Sequence, residues 1–216
     1  MVSQADFGHE ARCGGSTVNF ADVKLAYVLS CAVLGVIILW PTVAAFISLP
    51  SGERFSELYM LGPNRLAADY PFNATENESY SVYLGVGNHM GSSRYYVLYV
   101  KFRNQTEPLP NATNGVPSPL APLYEYRLFV GDNSSSEVPL IFSFAGVSFA
   151  GERAFVGDFV VNGFSFAVDE SVSWDGDKSG YYFQVFVELW IYDPEVDGFS
   201  YHNRFVSRWL NVTGSV

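Results

Sequence analysis

Two hydrophobic periodicities divide this chain. From Leu25 to Leu49 (LAYVLSCAVLGVIILWPTVAAFISL) 25 consecutive residues carry no charge. Wound as a helix at about 1.5 Å per residue, that run is long enough to cross the ~30 Å hydrocarbon core of a bilayer with some tilt. It predicts a transmembrane helix, with Pro41 as a kink point and Trp40 as a packing or depth marker. C-terminal to the run the period is two. In 79–86, Tyr80, Val82, Leu84 and Val86 alternate with Ser79, Ser81, Tyr83 and Gly85; in 183–192, Phe183, Val185, Val187, Leu189 and Ile191 alternate with Gln184, Phe186, Glu188, Trp190 and Tyr192. Both are patterns of half-buried strands. Further β-rich runs at 94–103, 123–130, 138–144, 154–161, 164–168 and 199–210 are separated by Gly, Asn, Asp or Pro clusters. The expected fold is mainly β: a single N-terminal transmembrane α-helix followed by an immunoglobulin-like antiparallel β-sandwich. The expected organisation is a tail at 1–24, the helix at 25–49 and a β-domain at 51–216. Residues 107–122 hold five prolines and form a stiff surface loop.

Asparagine spacing sets the orientation. Six Asn-X-Ser/Thr sequons, at Asn73, Asn77, Asn104, Asn111, Asn133 and Asn211, all lie after the apolar run, and every threonine beyond residue 50 occupies one of them. Chance would give about 1.6 such sequons in the whole chain at this composition. The excess reads as N-glycosylation, hence an external face and a cytoplasmic N-terminus in the cell membrane. Positive charge does not decide the orientation, since Arg12 and Lys24 precede the span and Arg54 and Arg65 follow it. A cleaved signal peptide ending near Val43-Ala44-Ala45 is the competing reading, disfavoured by a 24-residue leader and an apolar stretch about twice the usual length.

Both cysteines, Cys13 and Cys31, precede residue 50, so the β-domain relies on a core and not on disulfides. Residues 51–216 carry 19 acids and 10 bases, a net charge of −9, which argues against nucleic acid as a partner. Asp193-Pro194-Glu195-Val196-Asp197-Gly198 imitates the start of a calcium loop, but its twelfth position is Arg204 where a carboxylate is needed; it reads as a hairpin turn. Asp169, Glu170, Asp175 and Asp177 around Trp174 form the other acidic cluster, so Asp175, Asp177, Asp193 and Asp197 are weak metal candidates in what reads as solvated turns. His89 and His202 are the only bases for neutral-pH chemistry in the β-domain, and neither stands in a recognisable serine or cysteine motif. No catalytic residue and no cofactor is expected.

Aromatics make up 17% of the chain, and Tyr83, Phe186, Trp190 and Tyr192 fall on the polar phase of their strands. With Trp174 they suit carbohydrate stacking or a protein interface, whereas a sheet face covered by a loop or by the membrane surface would give the same pattern. In the helix, Cys31 and Gly35 form a small-xxx-small pair suited to seating another helix.

The residues resemble a known family. Phe55-Ser56-Glu57-Leu58-Tyr59-Met60-Leu61-Gly62-Pro63 after the membrane run, Tyr70-Pro71, Val86-Gly87-Asn88-His89, and Arg204 to Thr213 (RFVSRWLNVT) are similar to the uncharacterised archaeal domain-of-unknown-function family 1616. The resemblance spans nearly all of 53–213 and implies an archaeal membrane protein with an external β-domain, without an established activity to transfer. The expected role is non-catalytic binding or assembly in the cell envelope, with an envelope protein or a carbohydrate as partner. An accessory subunit of a membrane complex is the alternative, and a surface enzyme acting on glycans through Asp169, Asp175 or Asp177 is the third.

Overall fold

In the computed structural model the described residues are 20–46 and 53–214. They fall into two units, which divide between Gly52 and Glu53.

The first unit holds one helix, α1 (Phe20–Phe46), with Pro41 inside it. Within it, Val23–Pro41 is long and apolar enough to cross a membrane or to serve as a signal sequence. The described helix already includes Phe20, five residues before the expected 25, and nothing in Phe20 to Lys24 breaks a helix; the expected end at 49 lies outside the described residues. Cys31 is exposed, and the space beside the Cα of Gly35 is empty.

The second unit contains β1 (Phe55–Leu61), β2 (Asn73–Thr75), β3 (Tyr80–His89), β4 (Arg94–Arg103), β5 (Tyr124–Val130), β6 (Ser134–Ala150), β7 (Arg153–Val161), β8 (Phe164–Ser173), β9 (Tyr182–Asp193) and β10 (Gly198–Thr213). One sheet has the order β1-β3-β6-β7-β8 and the other β2-β10-β9-β4-β5. Every pairing is antiparallel except the short parallel join of β2 to β10. The two facing sheets are the sandwich that the period of two predicts, and the immunoglobulin-like comparison extends no further than that arrangement.

The core is drawn from one face of each sheet. Val82, Leu84, Val86, Leu140, Phe142, Phe144 and Phe159 of the first meet Leu98, Val100, Phe102, Phe183, Val185, Val187 and Leu210 of the second. Phe102 is its aromatic centre, stacked on Phe159 (4.9 Å between centroids) and Phe183 (5.3 Å).

The structure adds one strand and corrects one expectation here. Asn73 lies within β2, which no alternation marks and whose single inward residue, Ala74, is fully buried. The segment 183–192 is not half-buried: from Tyr182 to Leu189 both faces of β9 are covered. β9 is the middle strand of its sheet, and the Pro-rich segment lies across its outer side.

Candidate functional site

Register fixes which side chains share the outer face of the second sheet. Arg103, Gln184 and Trp209 form one row across β4, β9 and β10; Lys101, Phe186 and Ser207 form the next; Tyr99, Glu188 and Phe205 follow. The middle of this face is sealed by an ionic clamp. Glu188, fully buried, accepts from Lys101 Nζ (2.9 Å), from the backbone N–H of Ser118 (2.7 Å) and from Trp190 Nε1 (3.0 Å). Lys101, 3% exposed, also donates to the Ser118 carbonyl (2.9 Å), and the Ser118 hydroxyl donates to the Pro108 carbonyl (2.8 Å). A charge so placed is tolerable only when it is paired and hydrogen-bonded, and this one holds the Pro-rich segment against the sheet.

Where that cover ends, a groove of about 750 Å³ opens, lined by Phe72, Gln105, Asp175, Lys178, Tyr182 and Trp209. Phe72 and Tyr182 lie 6.0 Å apart, and the Arg103 guanidinium sits over the Trp209 ring at 5.5 Å. The rim is set by the tight loop between β8 and β9. The backbones of Asp175 and Gly180 pair, Asp175 Oδ1 accepts from the Lys178 N–H (3.0 Å), and the Tyr182 hydroxyl donates to the Lys178 carbonyl (2.7 Å). On the loop's other side, Phe149, Trp174 and Tyr181 border a second hollow of about 430 Å³, with Tyr181 packed edge-on against Trp174 at 5.0 Å. Rings beside an amide, a carboxylate and an ammonium can stack on an apolar face while bonding its polar edge.

The expected site residues are scattered. Phe186 is fully buried in the row beside Lys101, which removes it from any exposed aromatic row: its polar phase reflected a covered outer face. Tyr83 belongs to the other sheet and lies under the Arg65 guanidinium at 4.5 Å. Trp190 meets Tyr99 edge-on at 5.4 Å, while Tyr192 donates its hydroxyl to Asp197 (2.6 Å). Of the expected aromatic and metal candidates, Trp174, 45% exposed, and Asp175 reach the two hollows, and the sequon residue Asn211 borders the second. Asp177 is exposed on the same loop. Asp193 and Asp197 sit in the β9–β10 hairpin at the other end of β9, with the Asp193 carboxylate accepting from the Glu195 N–H (2.9 Å). Among the described residues no group of three or more His, Cys, Asp or Glu side chains gathers as a metal site. Phe72, Gln105 and Trp209 escaped the sequence reading because the segments that bring them together are far apart in the chain.

The sequons differ in their surroundings. Asn73, Asn77, Asn111 and Asn133 are exposed or nearly so, and Asn104 and Asn211 are half-buried. Asn104 Nδ2 donates to Glu170 (2.7 Å) and its Oδ1 accepts from the Thr106 N–H and hydroxyl. Asn211 Nδ2 donates to Asn73 Oδ1 (3.0 Å).

A buried polar chain runs through the opposite end of the domain. Tyr96 donates its hydroxyl to Asn88 Oδ1 (3.1 Å), so the 2.7 Å contact between Ser56 Oγ and Tyr96 must carry the Ser56 proton, and His202 Nε2–H then donates to Ser56 at 3.0 Å. That direction is the reverse of a serine handing its proton to a base, and Ser56 is fully buried. Burial first, then the Arg204 and Arg94 charges, push the His202 imidazole below its ordinary 6.5. The unfolded chain therefore binds more protons than the folded one between the lowered value and 6.5, so stability rises with pH there and is lost as pH falls below 6.5. Chemical denaturation across that range should show the slope in the natural chain and a shallower one in His202→Gln; equal slopes would remove His202 as its source.

No curated protein sequence matches the chain. Among solved structures, a β-glucosidase from Listeria innocua in complex with glucose is similar at 13% identity and a TM-score of 0.40, covering 76% of this chain and 16% of that one. The complex of zinc 2-glycoprotein and prolactin-inducible protein from human seminal plasma is similar at 10% identity and a TM-score of 0.36, covering 76% of this chain and 99% of that one. This chain thus spans less than a fifth of the β-glucosidase, and neither likeness is close enough to transfer an activity. The block from Arg204 to Thr213 lies outside the family match, which ends within β6 and is narrower than the resemblance implied. Over residues 49–148 the chain matches the family described as Domain of unknown function (DUF1616), the one that Phe55 to Pro63 and Val86 to His89 resemble.

Proposed function

We propose that this chain is a membrane-anchored, N-glycosylated protein of the cell envelope whose external β-sandwich binds carbohydrate without catalysis, through the groove beside Trp209. The observation that carries the reading is the convergence of Phe72, Tyr182 and Trp209 with Gln105, Asp175 and Lys178 around one hollow. Sugar rings present C–H faces to aromatics and hydroxyls to amides and carboxylates, and this lining offers both. The apolar helix supplies the anchor and the six sequons support an external β-domain. The reversed polarity of the Ser56–His202 contact supports a non-catalytic reading.

Calorimetric titration of the full chain in mild detergent with soluble hexose and N-acetylhexosamine oligosaccharides tests it. At least one saccharide class should bind, and Trp209→Ala should weaken it tenfold or more, about 1.4 kcal/mol, with Gln105→Ala giving a smaller loss. Absence of binding across the panel, or an unchanged affinity in a folded Trp209→Ala protein, would sink the proposal.

A further inference from the structure

Two of the six sequons are neighbours in space. Asn73-Ala74-Thr75 and Asn211-Val212-Thr213 pair in parallel register, Asn with Asn and Thr with Thr, across the join of β2 and β10. Paired strands run about 4.8 Å apart and residues in register project to the same side. The two asparagine side chains accordingly touch, Asn211 Nδ2 donating to Asn73 Oδ1 at 3.0 Å. An oligosaccharide whose first ring is wider than that spacing cannot leave from both.

The environments of the two amides differ. Asn73 lies on an edge strand, is exposed, and uses only its oxygen, so its Nδ2 has no partner among the described residues. Asn211 lies on an interior strand between β2 and β9. Its Oδ1 accepts from the Tyr181 N–H (2.9 Å), and a Cβ built on Gly180 would meet that oxygen. Its Nδ2 adds a side-chain tie to the backbone pairing that joins β2 to the sheet.

We infer that these two sequons make one modification site that takes a single N-linked oligosaccharide, at Asn73, while Asn211 remains unmodified as the brace that holds β2. Transfer from a saccharide donor carried on a phosphate leaving group forms the bond from sugar C1 to Asn73 Nδ2. It breaks the bond from C1 to the phosphate oxygen, and one amide proton passes to base. Oδ1 of Asn73 is untouched, so the Asn211 contact survives the modification. A sugar placed on Asn211 before folding would instead stand against Asn73 and Tyr181, keeping β2 off β10. The inference rests on the external glycoprotein reading.

Peptide mass spectrometry of the full chain from its native membranes separates the two claims. Asn73 should be modified and Asn211 bare; Asn73→Gln should remove one glycan mass, and Asn211→Gln should leave the mass of glycan unchanged while lowering the melting temperature. An oligosaccharide on Asn211, or a bare Asn73 beside modified Asn77 or Asn111, overturns the pairing inference and leaves the glycoprotein reading standing. Bare asparagines at all six sequons overturn both.

Discussion

Lys101→Met is expected to lower the stability of the β-domain by about 3–5 kcal/mol, the usual loss when one partner of a buried ion pair is removed. The substitution keeps much of the stem volume, so the effect isolates the charge. Without Lys101, Glu188 remains fully buried with two neutral donors, the Ser118 N–H and Trp190 Nε1, to hold a full negative charge. Glu188→Gln should fall in the same range, because it leaves the Lys101 ammonium, 3% exposed, without its counter-charge. The double variant Lys101→Met/Glu188→Gln should be less damaging than the sum of the two, since no unpaired charge is left and the Ser118 N–H keeps an acceptor. Denaturant unfolding of the full chain in detergent measures all three, and the Ser118 amide should exchange much faster in each, because the Pro-rich segment depends on this clamp. A single-variant loss below about 1 kcal/mol would mean that the pair behaves as a surface salt bridge.

This clamp also explains what the sequence concealed. The alternation in 183–192 correctly marks a strand and its inward set, Phe183, Val185, Val187 and Leu189. It misleads about the other set because exposure of a strand's second face depends on what crosses it, and the crossing segment is a loop without periodicity. β1 was legible as a family resemblance but not as a strand, since its inward positions are Ser56, Leu58 and Met60, a mixed set. β2, three residues long, has no pattern to read. The acidic loop around Trp174 was identifiable from its composition, and Asp175 does line the groove. The rest of that groove was not, because Phe72, Gln105 and Trp209 come from three separate connections and strands whose proximity is set by register.

Asn88→Ala should cost about 3–5 kcal/mol, on the basis of about 1–3 kcal/mol for each buried polar group left without a partner. Asn88 is fully buried at the end of β3. Its two amide hydrogens serve three carbonyls, those of Ser92 (2.9 Å), Val130 (2.9 Å) and Gly131 (3.1 Å), while its oxygen accepts from the Met90 N–H (3.1 Å) and the Tyr96 hydroxyl. One side chain thus joins the β3–β4 turn to the β5–β6 turn and ends the polar chain that begins at His202. Asn88→Asp is the sharper test, because it is isosteric yet cannot donate. Above its titration range it would set a carboxylate against three carbonyl oxygens, so it should be more destabilising than alanine and should recover as pH falls and the acid gains a proton to donate. If Asp is tolerated as well as Asn at neutral pH, water reaches this site and the amide is not the tie between the two turns. If both variants unfold readily, the Val86 to His89 stretch that carries part of the family resemblance acts as a fastening of the fold.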